Sequence, residues 1–281
     1  MGQSVTCPLE KLHATFTRLR RTHRKALIPF IMGGDPNLQT TKALLLALAE
    51  AGADLLEVGI PFSDPLADGP IIQRASSRSL NDGTDAEDVL EIVSAVSRQV
   101  AVPLALLSYW NPILQYRNGS RANATSPSAF VRDAQRCGAS ALIVPDLPPE
   151  EAHPLQEAAR RVGIATVFLA APTSPPERLR AIARASEGFI YYVSVTGTTG
   201  VRDRLPAEWL HGVRQLKLIT TKPICVGFGI STPAQAAAVA RVADGVIVGS
   251  ALIRAIEPVL SNRSVVVKRA VSFVRRLRRA V

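Results

Sequence analysis

Glu57 sits in an apolar run between Leu56 and Val58, and Asp68 follows eleven residues later in a proline-punctuated loop. The stretch reads Asp54-Leu55-Leu56-Glu57-Val58-Gly59-Ile60-Pro61-Phe62-Ser63-Asp64-Pro65-Leu66-Ala67-Asp68-Gly69-Pro70. Burying the charge of Glu57 is costly unless the carboxylate has a partner or a task. Desolvation raises a carboxyl pKa, which is how a protein obtains a proton-transfer group that works near neutrality. The loop's prolines restrict its path, so Asp68 is held rather than loose. Two carboxylates in different environments are suited to dividing acid and base roles.

A second chemical feature lies late in the chain. Thr196-Gly197-Thr198-Thr199-Gly200, Gly227-Phe228-Gly229-Ile230-Ser231 and Gly249-Ser250 each follow a β-branched run. Glycine lets backbone N–H groups close on an anion without a Cβ in the way, and helix N-termini add partial positive charge. A phosphate site is the functional reading; tight turns are the plain one. A nucleotide is not expected, since there is no Walker lysine and Gly227-x-Gly229 lacks the third glycine of a dinucleotide fingerprint. His13, His23, His153 and His211 show no metal-ligand spacing, and no Gly-x-Ser-x-Gly elbow occurs. No lysine lies at a strand end, which argues against Schiff-base chemistry. Acid–base catalysis by carboxylates is what remains.

Such groups need a scaffold. Short runs read as strands at 27–31, 54–59, 103–107, 141–144, 165–169, 189–193, 223–226 and 245–248. Amphipathic stretches alternate with them near 37–51, 85–99, 128–137, 149–162, 175–185, 206–219 and 233–242, with another from 251. Asp35-Pro36 and Thr232-Pro233 offer a cap followed by proline, and Thr84…Glu87 and Ser174…Glu177 have capping-box spacing. Gly52, Gly138 and Gly163 fall where helices should end. Strict alternation implies parallel strands. Eight units in 281 residues fit a single α/β domain, a (β/α)8 TIM barrel over 1–281, better than an open sheet. Leu9, Leu12, Phe16 and Leu19 predict an extra N-terminal helix, and the polar 117–128 stretch reads as a loop insertion after strand three. Barrel active sites lie at strand C-termini, which suits both carboxylates.

Bulk properties narrow the class. The chain is 47% hydrophobic and 20% charged, as expected of a globular protein. No apolar run approaches the roughly 20 residues that span a bilayer. Cys7, Cys137 and Cys225 are too few and too scattered for a disulfide framework. A reducing compartment follows, the cytoplasm, or the plastid stroma in a photosynthetic eukaryote. The first 25 residues are basic and hydroxyl-rich, as in transit segments, but the helical stripe suggests retention in the fold. The formal charge of +10 gathers at Arg18, Arg20, Arg21, Arg24 and Lys25 and at Lys268, Arg269, Arg275, Arg276, Arg278 and Arg279. In the tail Val267, Ala270, Val271, Val274, Leu277 and Val281 recur at helical spacing, so a packed helix with a solvated basic face is expected. No aromatic residues interleave this charge for base stacking, and neither nucleic acid nor a membrane is expected as a partner.

The motifs coincide with a known family. From about Leu27 to Glu257 the chain resembles the α subunit of tryptophan synthase. The resemblance is carried by Pro29-Phe30-Ile31-Met32-Gly33-Gly34-Asp35-Pro36, by Glu57-Val58-Gly59 through Pro70, and by Val144-Pro145-Asp146-Leu147-Pro148. Ala171-Pro172-Thr173-Ser174-Pro175, Val193-Ser194-Val195-Thr196-Gly197 and Val226 through Ser231 complete the set. It implies retro-aldol cleavage of indole-3-glycerol phosphate to indole and glyceraldehyde 3-phosphate, by a carbon–carbon lyase of tryptophan biosynthesis. By that likeness Glu57 transfers protons and Asp68 hydrogen-bonds the indole N–H, staying ionised in a wetter loop. Phe30, Leu107, Tyr191 and Phe228 match substrate-binding positions, and Gly200, Gly229, Gly249 and Ser250 match phosphate-binding ones. Metal and organic cofactors are not required by this chemistry; pyridoxal phosphate belongs to the family's β subunit, the implied partner in an α2β2 complex.

Two departures bear on that partnership. Family members pass from the Asn-Pro-Ile motif to the next helix in fewer residues than separate Tyr116 from Phe130. Thr198 stands where many members have an apolar β-branched residue. Loops at this end, including that of Asp64 and Pro65, face the β subunit in the family. The alternative is therefore a free-standing lyase that releases indole. An idle barrel binding nucleic acid is disfavoured by the two carboxylates and the phosphate loops. An indole-glycerol phosphate synthase type would want a catalytic lysine on an early strand.

Overall fold

The computed structural model describes residues 7–116, 126–193, 208–227 and 229–281. A first helix, α1 (Pro8–Arg21), precedes β1 (Ala26–Met32), α2 (Leu38–Glu50) and β2 (Leu56–Gly59). Two helices, α3 (Pro70–Asn81) and α4 (Ala86–Ser97), lead to β3 (Leu104–Leu107), followed by α5 (Trp110–Gln115) and α6 (Ser128–Arg136). Next come β4 (Ala139–Ile143), α7 (His153–Val162), β5 (Ala165–Val167), β6 (Leu169–Ala170) and α8 (Pro176–Ala185). The remainder is β7 (Ile190–Val193), α9 (Glu208–Ile219), β8 (Ile224–Gly227), α10 (Pro233–Ala240), β9 (Gly245–Val248), α11 (Ser250–Ile256) and α12 (Arg263–Arg278).

The strands pair in the order β5-β4-β3-β2-β1-β9-β8-β7-β6, with every pairing parallel. Only Phe168 separates β5 from β6. The two ends of the row are thus one segment of chain, and the sheet curls into the α/β TIM barrel expected from the alternation. Period-two alternation sorts side chains into two shells. Ile28, Phe30, Met32, Ala105, Leu107, Ala141, Ile143, Tyr191, Cys225 and Ile247 share an inner cluster. Leu27, Ile31, Leu56, Val58, Leu104, Leu106 and Leu142 belong to the outer cluster beneath the helices. Glu57 lies between two outer-shell residues and therefore projects inward.

The predicted N-terminal helix forms and seals one end of the barrel. Leu12, Phe16 and Leu19 are buried in the inner cluster, with the Phe16 and Phe189 rings 5.7 Å apart. The basic tail is the packed helix α12, burying Val266, Ala270, Phe273, Val274 and Leu277. Among the described residues no helix is long and apolar enough to cross a membrane.

Local signals were shifted at several places. The cap of α2 is Asn37, whose side chain accepts from the Thr40 N–H at 2.9 Å, not Asp35, which is engaged by Arg78. The capping box of α4 is Asp85 with Asp88, one residue beyond Thr84 and Glu87. Ser174 accepts a hydrogen bond from the Ala171 N–H instead of capping α8. The Thr232 cap holds, as a box with Gln235, and Gly163 ends α7 with φ 74°. The helices α3 and α5 were not anticipated. The inward face of α3 carries Ser76 and Ser79, buried by hydrogen bonding, so apolar periodicity conceals it.

Candidate active site

The first two β-strands place the first two elements of the site side by side. Phe30 on β1 pairs in register with Glu57 on β2, and Glu57 in turn with Ala105 on β3. Glu57 is 1% exposed, and its Oε2 has no hydrogen-bond partner among the described residues. Burial, and then the nearby charge of Asp68, push its carboxyl up to about 8. Around neutral pH Glu57 is therefore mostly protonated and able to donate a proton.

Asp68 differs from expectation. Its loop is not wet: the residue is 5% exposed, and burial pushes its carboxyl up to about 6. The opposing influence is a hydrogen bond from the Tyr109 hydroxyl, which favours the ionised form. The same hydroxyl accepts from the Ala67 N–H at 2.9 Å, so one buried tyrosine fixes two successive loop residues. The Tyr109 and Phe62 rings lie 5.4 Å apart. Tyr109 is the N-cap residue of α5, and the adjacent Trp110 N–H is received by Asp146 at 2.9 and 3.2 Å. Motif reading passed over Tyr109, although its place just beyond β3, where barrels carry their chemistry, was a usable signal.

Glu57 and Asp68 open onto one cavity. Its lining includes Phe30, Glu57, Asp68, Leu107 and Tyr191 together with Gly229, Gly249 and Ser250. Every predicted site residue within the described part of the chain thus meets the others. Gly200 and Phe228 lie outside the described residues, as do the Thr196–Gly200 run and most of the 117–128 stretch. Among the described residues the wall also includes Ile230 and Ser231 of the Gly227–Ser231 loop, and Ile72, Ile247 and Ala251, which no sequence motif marks. Apolar rings and aliphatic groups form one part of this wall, suited to a flat aromatic ligand. Gly249 keeps its place for a steric reason, since a Cβ there would stand 3.1 Å from the Phe30 ring. Tyr191 is buried, and burial with the Glu57 charge raises its hydroxyl pKa well above the ordinary value, so it stays a neutral phenol.

The arrangement pairs a proton donor with a second carboxylate beside an apolar slot, and leaves a glycine-bearing end at Gly229, Gly249 and Ser250. Known proteins share both the sequence and the architecture. The family model for the tryptophan synthase alpha chain matches residues 16–281. The tryptophan synthase alpha chain of Geotalea daltonii is 46% identical over 247 residues, covering 88% of this chain and 90% of that one. That of Microcystis aeruginosa is 49% identical over 240 residues, covering 85% and 88%. A chain of Mycobacterium tuberculosis tryptophan synthase superposes with a TM-score of 0.86 at 37% identity, covering 96% and 97%. The tryptophan synthase subunit alpha of Legionella pneumophila gives 0.84 at 36% identity, with the same coverage. By sequence and architecture over nearly its whole length, this chain belongs to the tryptophan synthase alpha chain family.

Proposed function

We propose that this enzyme of tryptophan synthesis acts as a carbon–carbon lyase, cleaving indole-3-glycerol phosphate to indole and glyceraldehyde 3-phosphate. The observation that carries the reading is Glu57: a buried, raised carboxyl whose Oε2 has no partner among the described residues, sharing one cavity with Asp68, Gly249 and Ser250. The indole ring lies among Phe30, Leu107, Tyr191 and Phe228, and the phosphate at Gly200, Gly229, Gly249 and Ser250. Protonated Glu57 gives its proton to indole C3. The ring becomes cationic, and ionised Asp68, accepting from the ring N–H, stabilises that charge. The Glu57 carboxylate then takes the proton of the side-chain hydroxyl. The C–C bond breaks, its electron pair restores the aromatic ring, and the hydroxyl carbon becomes the aldehyde. Glu57 ends protonated as it began, so neither metal nor organic cofactor enters the balance.

The partner in this reading is a tryptophan synthase β subunit, docking at the face that carries the Asp64–Pro65 loop. Leu66 in that loop is 88% exposed, an apolar side chain suited to a protein contact. The free-standing alternative is not favoured, since the relatives are tryptophan synthase alpha chains. The test is indole release from indole-3-glycerol phosphate by the purified chain, with and without a β subunit. Weak release that rises strongly with the β subunit is expected. Fast release unmoved by it would restore the free-standing alternative, and no release in either case would remove the proposed reaction.

A further inference from the structure

The helix that follows Asp68 is fastened on three sides. Towards the loop, the Ser76 hydroxyl accepts from the Phe62 N–H at 2.9 Å and donates to the Phe62 carbonyl at 2.8 Å. The Gln73 amide donates to the Asp68 carbonyl at 2.8 Å. Towards β1, Arg78 grips the buried Asp35 with two hydrogen bonds of 2.8 Å. Towards α11, Glu257 receives Arg78 at 3.0 Å and both arms of Arg74 at 2.9 Å. Glu257 is the residue immediately after α11, and Ser250 begins that helix. Asp68 stands just before α3 and Ser250 at the start of α11, and both line the cavity. The ionic cluster therefore ties together two helices whose N-terminal ends both border the cavity.

We infer that the Asp35–Arg78–Glu257–Arg74 cluster is a positioning device that sets the distance from Asp68 to the Gly249–Ser250 end, with Arg78 at its centre. This rests on the functional reading above, in which phosphate is anchored at that end. A substrate pinned at its phosphate presents its ring where the scaffold dictates, and misplacement of about 1 Å costs up to roughly 10²-fold in rate. An arginine suits the task because one planar fork serves two carboxylates at fixed angles, which a lysine cannot do. For the Arg74–Glu257 arm stabilisation is the lesser consequence, because Arg74 is 53% exposed and exposed ion pairs contribute little.

The test uses the full-length protein, indole-3-glycerol phosphate as substrate and glycerol 3-phosphate as the probe of the anchoring end. Glu257→Ala leaves the Asp35–Arg78 pair whole, so no buried carboxylate is stranded and folding is preserved. The expected result is turnover per folded molecule reduced about tenfold, with affinity for glycerol 3-phosphate held within about twofold. Arg78→Lys, which keeps the charge and loses the fork, should lose at least as much turnover. Wild-type turnover in folded Glu257→Ala, with only a lower Tm, would overturn the inference while leaving the function standing. A wild-type protein that releases no indole even with a β subunit would overturn the functional reading and the inference together.

Discussion

Glu57 draws its reactivity from its surroundings. Its carboxyl is pushed up to about 8 mainly by burial, so between about pH 4.5 and 8 the folded protein holds a proton that the unfolded chain has lost. Stability is then greatest in the lower part of this window and falls as pH rises through it. Glu57→Gln removes that loss while deleting the carboxyl proposed to carry the proton. Turnover should drop at least about 10²-fold. The Tm advantage of the variant over wild type should grow from pH 5 to pH 9, reflecting on the order of a few kcal/mol. Thermal melts showing a constant difference across that range would mean that Glu57 is not held neutral. The inward position of this carboxylate was legible from Leu56 and Val58 alone, because strand alternation leaves it no other side. The setting of Asp68 was not legible, since its burial depends on Tyr109, forty-one residues away in sequence.

At the scale of elements, the loop that carries Asp68 is shaped by its neighbours more than by its own prolines. The β3–α5 junction presents Tyr109, and α3 presents Gln73 and Ser76, so two elements clasp the loop from either side. Tyr109→Phe keeps the ring against Phe62 and removes only the hydroxyl. Without that donor the ionised form of Asp68 loses support, and its carboxyl should move upward from about 6. In kcat/KM the rising limb of the pH profile should therefore shift alkaline by about one unit, while the falling limb near 8 stays with Glu57. An unmoved rising limb would dissociate Tyr109 from Asp68. The alternation of strands and helices was readable because it rests on apolar periodicity. That signal is missing from α3, whose buried Ser76 and Ser79 are satisfied by the Phe62 backbone and the Gly33 carbonyl. A helix held by such distant partners has no local signature.

Across the whole molecule, the candidate site and the closed floor occupy opposite ends of the barrel. The cavity gathers at the C-terminal ends of the strands, and the other end is sealed by α1 and pinned by Asp54. Asp54 accepts from the Leu27 N–H at 3.1 Å, from Arg278 of α12 at 2.6 Å and from Arg18 of α1 at 3.5 Å. The basic ends of the chain, conspicuous in the sequence as charge, thus include two arginines that fasten both terminal helices to one buried carboxylate. Sequence reading assigned that charge to solvent, because a pairing between positions 54 and 278 depends on closure of the barrel. Arg278→Met leaves Asp54 with the Leu27 N–H and, as its counter-charge, the more distant and half-exposed Arg18, and should destabilise the fold by about 2–4 kcal/mol in denaturant titrations. In folded protein its turnover should equal that of wild type, since in barrels of this kind the closed end governs stability and the open end catalysis. A variant with wild-type stability but impaired turnover would contradict that division, showing that the α12 anchor acts on the site through the sheet.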